Sequence, residues 1–549
     1  LADDSIRSLG TRDDFMLGFI TREVTAMRTF SVKGLFAIAV VSLAFPASVF
    51  AVDESTQATQ VELTYGQVSG VELDNDVAVF RGIPFAAPPV GDLRWKAPQP
   101  PIPWQGVRVA DTFGPTCMQR GRALMSEDCL YLNVWTKAES PEANLPVMVW
   151  IHGGGWTSGA NSIPIYNGEQ FALNEVVLVS VNYRMNAFGW MAHPALSAES
   201  PEGVSGNYGI LDHIAALEWV RDNVAGFGGD PKNVTIFGES AGGGSVYSLL
   251  ATPLAKGLFH KAISQSTWIT SYNVTNLSSH NGMTASAEAR GEEAINTKLD
   301  ELGVNGTDQL ENMRDLTAAQ LMEMNLGIYG VSLIVDGHIF PKSPAEIFAE
   351  GSHNAVPLIA GVNDGEGLFF IRPGRTFETV EEQRAARVEE FGEHAGSLLD
   401  MYVADSDEDV YNIEVDYNTD SWFARPTREI LNAMARTNED SYMYLFTRNL
   451  GNPEERSPHA MELMYVFNTL PSGTRDEDWE IAKLMNDYWV EFAQSGTPNN
   501  NELPQWPVYD TEQEAHQIIG VEVKQGAQFR TQELNELDRY FDDRYNSAR

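Results

Sequence analysis

The segment Val234-Thr-Ile-Phe-Gly-Glu-Ser240-Ala-Gly-Gly-Gly-Ser245 constrains this chain more than any other stretch. An apolar, β-prone run ends at Phe237, a Gly-x-Ser-x-Gly turn follows, and small residues open a helix. A serine hydroxyl is a weak nucleophile, so it must stand clear of the backbone where a base can reach it. A sharp strand-to-helix turn does this, and glycines at 238 and 242 let neighbouring chains approach closely. The helix that starts after Ser240 points its first amides at the reaction centre, where negative charge develops. In a chain with 46 glycines the five-residue pattern alone is weak; the strand before it and the small residues after it give it weight.

A second signal lies upstream. Leu145-Pro-Val-Met-Val-Trp-Ile151 reads as a buried strand that runs into His152-Gly153-Gly154-Gly155-Trp156. Glycine amides free of side chains are what an oxyanion hole requires. Val176 to Asn182 is a nearly continuous β-branched run, as expected for a strand buried on both faces of a parallel sheet. Asn207 to Val220 has helical periodicity and precedes the elbow strand. Strands alternating with helices predict an α/β fold around a mostly parallel sheet.

Further strands are expected at Ser126–Trp135, Ala355–Val362 and Tyr442–Thr447, and a hairpin over Val61–Phe80. The proline-rich run Arg81–Arg94 is expected to be irregular. Residues 275–330 and 375–440 read as helical, polar insertions capping the sheet, and Ala482–Phe492 as a helix with an aromatic face. No linker or repeat divides the chain, and 43% hydrophobic residues suffice for one large core.

Hydrolases with such an elbow carry Ser, then Asp or Glu, then His in chain order. Seven histidines follow Ser240: His260, His280, His338, His353, His394, His459 and His516. His394 lies in a helical, polar stretch and reads as a solvated face. His459 lies in the loop Arg456-Ser-Pro-His-Ala460 beyond the strand ending at Thr447, where a base belongs. For the acid, Glu366 follows a strand in the turn Asn363-Asp-Gly-Glu-Gly367. Asp364 and Asp336 compete with it, and spacing does not separate Glu366 from Asp364.

Met27, Arg28, Lys33, the apolar run Leu35–Phe45 and the small residues up to Ala51 have the order of a secretory signal. Translation from Met27 and cleavage after Ala51 are expected, with residues 1–26 as upstream reading-frame sequence, residues 52–549 as one domain, and a secreted or periplasmic location. A net charge of −39 argues against nucleic acid or an anionic membrane as partner. Cys117 and Cys129, so close in an exported chain, are expected to pair, and closing that loop contributes about 3 kcal/mol.

Together these residues resemble the type-B carboxylesterases, the α/β-hydrolase family that includes cholinesterases, bile-salt-stimulated lipases and bacterial para-nitrobenzyl esterases. The resemblance spans roughly residues 61–540. It is carried by Arg81-Gly-Ile-Pro-Phe-Ala-x-Pro-Pro-Val-Gly91, Ser126-Glu-Asp-Cys-Leu-Tyr-Leu-Asn-Val134, His152–Trp156, Asn207–Asp212, Phe227-Gly-Gly-Asp-Pro231, Gly238–Gly242, Gly361–Gly367 and His459–Leu463. It implies the α/β-hydrolase fold with helical cap insertions, and an ester hydrolase that works through an acyl-enzyme on short- to medium-chain or aryl esters. Lipase, lactonase and acyltransferase activity are alternatives with the same triad; a binding module is the rival from another class. The resemblance also implies Ser240 as nucleophile, Glu366 as acid, His459 as base, and Gly154, Gly155 and Ala241 as oxyanion donors, with no cofactor or metal. By position it places Trp156, Glu239, Trp268, Tyr329, Phe369 and Phe370 at the substrate pocket, Arg94 with Glu127 in a structural ion pair, and Cys117 with Cys129 in a disulfide. One departure stands out. Met118–Asp128 offers no aromatic face for a choline cation and carries Arg120 and Arg122, so a choline ester preference is not expected.

Overall fold

The structure, a computed structural model, describes residues 59–548 apart from 123, 270–273, 281–284, 305–308, 327–329, 373, 375 and 438–439. The expected signal segment lies outside these residues, as does Tyr329.

Eleven strands form one sheet. In chain order they are β1 (Val71–Glu72), β2 (Ala78–Pro84), β3 (Tyr131–Thr136), β4 (Leu145–Ile151), β5 (Val177–Val181), β6 (Gly229–Glu239), β7 (Lys261–Gln265), β8 (Leu358–Asn363), β9 (Ser441–Phe446), β10 (His516–Ile519) and β11 (Lys524–Gly526). Across the sheet the order is β1-β2-β3-β5-β4-β6-β7-β8-β9-β10-β11. Every pairing from β5 to β10 is parallel, while the strands at both edges pair antiparallel.

The parallel centre is covered on both faces, and side-chain alternation shows how. Val147, Val149 and Ile151 of β4 face one core, shared with α1 (Tyr208–Asn223), α2 (Ala241–Ala251) and α7 (Arg425–Arg436). Met148 and Trp150 face a second core, with Phe467 and with Trp489 of α8 (Asp476–Ser495). Each of these buried apolar side chains contributes up to about 1.5–3 kcal/mol. The cap holds α3 (Ala287–Leu302) and, at the far end of the chain, α4 (Val380–Phe391), α5 (Ala395–Tyr402), α6 (Val410–Thr419) and α9 (Thr531–Ala548). Among the described residues no helix is long and apolar enough to cross a membrane.

Two expectations about the start of the domain need correction. Val61–Phe80 is not one hairpin: Gln60–Leu63 and Gly66–Ser69 pair in a separate small sheet with Val107–Val109, and β1 and β2 then enter the main sheet. Arg81–Pro84 is strand, not irregular chain. A bulge between Phe80 and Ile83 absorbs the left-handed Gly82 (φ +70°), whose amide donates to Asn133 Oδ1 at 3.0 Å. Cys117 and Cys129 are joined in a disulfide, and Arg94 pairs with Glu127 at 2.5 Å.

Candidate functional site

Four loops at the carboxyl ends of parallel strands converge: after β4 (His152), β6 (Ser240), β8 (Glu366) and β9 (His459). That edge is where open α/β sheets place their ligands.

Ser240 occupies the turn between β6 and α2 with φ 56° and ψ −119°, a strained conformation for a side-chain-bearing residue. Its amide donates to Gln265 O at 2.9 Å and its carbonyl accepts from Gly244 N at 2.8 Å, so both main-chain groups are engaged. The strain is sustained by close packing. A methyl group at Gly242 would lie 2.0 Å from Ile151 O, and one at Gly238 would meet Gly242 C and O at 2.6 Å. Only glycine lets α2 start against the end of β4.

The His152–Gly159 loop folds over the same edge. Gly154 and Gly155 have φ +114° and +63°, and the Gly154 carbonyl accepts from Thr157 N at 3.1 Å and Ser158 N at 3.0 Å. The amides of Gly154, Gly155 and Ala241 have no acceptor among the described residues, so these three donors remain available. His152 stays behind the loop, stacked on Tyr183 at 4.5 Å, and burial lowers its pKa to about 4, which keeps it neutral.

Glu366 is fully buried. One carboxylate oxygen accepts from Ser266 Oγ at 2.6 Å and Asn363 N at 2.8 Å; the other meets His459 Nδ1 at 2.5 Å. The two rivals for the acid do other work. Asp364 accepts from Ser457 N at 2.6 Å and so ties down the loop that carries His459. Asp336 caps the turn amides of His338, Ile339 and Phe340. His394 is half-buried, 3.5 Å from Asp543.

The other ring nitrogen of His459, Nε2, lies 3.1 Å from Glu239 Oε1, an ionic approach without hydrogen-bond alignment. Phe369, Phe370 and Phe423 surround the ring, with centroids 5.7, 5.1 and 4.7 Å away. Burial opposes a charged His459, but Glu239, Glu366 and Glu462 outweigh it and hold its pKa up at about 9. Burial pushes Glu239 up to about 8, against the opposing pull of His459. Burial likewise raises Glu462 to about 7, with Glu366 adding to it. Burial of the carboxyls and the carboxylates around His459 thus favour the protonated forms of Glu239, Glu462 and His459 relative to water.

The structure thus brings Glu239, Phe369 and Phe370 to the base. Trp268 is half-buried, 5.3 Å from Trp156. Trp156 is fully buried; it stacks on Trp190 at 4.2 Å and donates to Ser245 Oγ at 3.0 Å, so it packs beneath the glycine loop rather than on an open wall. Nothing in the sequence singles out Ser266 or Phe423, because only folding brings them to residues far along the chain. Glu462 had a signal: it stands within the His459–Leu463 segment. Among the described residues no cluster of His, Cys, Asp and Glu could hold a metal ion.

This sheet and its helices define an α/β-hydrolase. Residues 57–537 match the carboxylesterase family, and the chain belongs to it. It is similar to the fumonisin B1 esterase of Sphingopyxis macrogoltabida, 36% identical over 468 residues that cover 81% of this chain and 83% of the relative. The para-nitrobenzyl esterase of Bacillus subtilis is 34% identical over 495 residues, 84% of this chain and 95% of the relative. Among solved structures, a PNB esterase superimposes with a TM-score of 0.75 at 34% identity, over 87% of this chain and 100% of that one. A carboxylesterase of Geobacillus stearothermophilus gives the same TM-score, identity and coverage. The protein is a carboxylic-ester hydrolase.

Proposed function

We propose that Ser240, His459 and Glu366 form the catalytic triad of this esterase and that Gly154, Gly155 and Ala241 hold the oxyanion. The observation that carries this reading is the fully buried Glu366 aligned on His459 Nδ1 at the strand edge where the strained Ser240 stands. Ser240 Oγ attacks the ester carbonyl while His459 Nε2 takes its proton. Glu366 fixes the ring by accepting from Nδ1–H and stabilises the imidazolium that forms. The three amides stabilise the tetrahedral oxyanion. Collapse expels the alcohol, protonated by His459, and water then repeats the sequence on the acyl-enzyme. In the resting arrangement Nε2 faces Glu239, so the base takes the serine proton only once Nε2 exchanges that neighbour for Ser240 Oγ; such contacts commonly tighten only when substrate binds.

Short- to medium-chain or aryl esters are the proposed substrates. The aromatic wall of Phe369 and Phe370 beside the base favours a flat or compact group there, and one relative is named for para-nitrobenzyl esters. Residues 52–549 form the proposed mature enzyme. Export is supported by the Cys117–Cys129 disulfide, which suits an oxidising compartment. Initial rates on para-nitrophenyl esters from acetate to palmitate, with Ser240→Ala as the blank, test the reading. Ser240→Ala is expected to lower kcat by roughly 10⁴- to 10⁶-fold without unfolding the protein; an unchanged rate would remove Ser240 as nucleophile. Activity that persists to palmitate would overturn the chain-length assignment.

A further inference from the structure

We infer that Gln119, inside the disulfide loop, is a positioning residue that sets the placement of the oxyanion donors Gly154 and Gly155. Its carboxamide forms a two-way pair with the main chain of Gly159: Nε2 donates to Gly159 O at 2.7 Å, and Gly159 N donates to Oε1 at 2.9 Å. The same Nε2 reaches Cys117 O at 3.1 Å, so the side chain is braced against the disulfide residue itself. Gln119 is 1% exposed, and every polar atom of its amide is used.

The consequence follows from how the glycine loop is built. Gly153 leaves β4, and Gly159 closes the loop back on it. A methyl group at Gly159 would lie 2.4 Å from both Gly153 O and His152 Nδ1. Between them the Gly154 carbonyl is held by Thr157 and Ser158, so the turn moves as one piece. Asn186 holds the middle of the loop, accepting none of its amides but donating to Thr157 O at 2.8 Å and Met118 O at 2.9 Å. The closing end rests on Gln119. No sheet ladder holds this loop, so the side-chain amide substitutes for a missing strand neighbour. A donor that shifts by a few tenths of an ångström no longer matches the oxyanion it must meet, and removing one such donor costs 10²–10³ in kcat.

The inference rests on the oxyanion reading above, and its test separates the two. Gln119→Met keeps the volume and removes both bonds; Gln119→Glu keeps only the acceptor for Gly159 N–H. Rates on para-nitrophenyl butyrate are normalised to sites that a fluorophosphonate labels at completion, and the inhibition constant of an alkyl trifluoromethyl ketone is measured alongside. Wild-type enzyme is expected to bind the ketone tightly as a tetrahedral adduct. Failure to do so would remove the oxyanion reading and this inference with it. In Gln119→Met, kcat per labelled site is expected to fall 10- to 100-fold with KM within about twofold, and ketone affinity to weaken in proportion. Gln119→Glu is expected to fall between Met and wild type. A purely structural glutamine would reduce the number of labelled sites and leave kcat per site and ketone affinity at wild-type values. That result, in whichever variant folds, would overturn the inference.

Discussion

The two sides of this site are held by different kinds of structure. The nucleophile side is built on main chain: backbone hydrogen bonds and contacts that leave no space for a Cβ at Gly238 or Gly242 fix the Ser240 turn, and the glycine loop is held by its own turn bonds and by the uncharged Gln119 and Asn186 side chains. The base side is made of side chains. His459 is placed by Glu366 and three phenylalanines, and Glu366 in turn by Ser266 and the Asn363 amide. Asn363 Nδ2 adds bonds to Pro458 O at 2.8 Å and Glu462 at 2.7 Å. Main chain gives a geometry that does not titrate. Side chains give a cluster of titratable groups, Glu239, His459 and Glu462, whose charge changes with pH. One side is rigid and the other adjustable, and substitutions on the two sides should fail in different ways.

The largest effect is expected where the main-chain side has no slack. Gly242→Ala places a methyl group 2.0 Å from the Ile151 carbonyl, and neither α2 nor β4 can retreat from the sheet core. Loss of more than about 4 kcal/mol and of all activity is expected; a denaturation midpoint close to wild type would show the elbow to be softer than its packing implies. On the other side, Glu366→Gln keeps shape and most hydrogen bonds but no longer stabilises the imidazolium. We expect folded protein with kcat lowered roughly 10³- to 10⁴-fold. Collapse of the fold in that variant would mean that the base side, too, is scaffold.

The smallest change should appear in Glu239→Gln. Among the charges that raise His459, Glu239 is the foremost. A base works only when neutral, so a raised pKa confines activity to higher pH. Removing the Glu239 charge lowers the His459 pKa and should move the acid limb of kcat/KM to lower pH, by about one unit. A limb that stays in place would mean that Glu239 carries no charge when the enzyme is ready to react.

The elbow and the glycine loop were legible because their requirements are local. A strand, a turn without room for Cβ atoms and a helix start are written in consecutive residues, as are β4 and β5 in their unbroken apolar runs. The strand at Arg81–Pro84 was missed because proline and glycine there signal a loop. Its pairing with β3 depends on Asn133, some 50 residues on, supplying an acceptor to Gly82. On the base side, order along the chain narrowed the choice to His459, but spacing left Glu366 and Asp364 level until the resemblance separated them.

Sequence by itself therefore determined the fold class and the serine turn, which follow from short-range sterics and from periodicity, and it pointed to the family through the motifs that carry the resemblance. Tertiary structure alone decided that Asp364 holds the histidine loop, that Trp156 packs beneath the site, and that Gln119 reaches Gly159. Those outcomes turn on distances of a few ångströms between residues far apart in the chain, and hydrogen bonding and burial act on such distances rather than on sequence order.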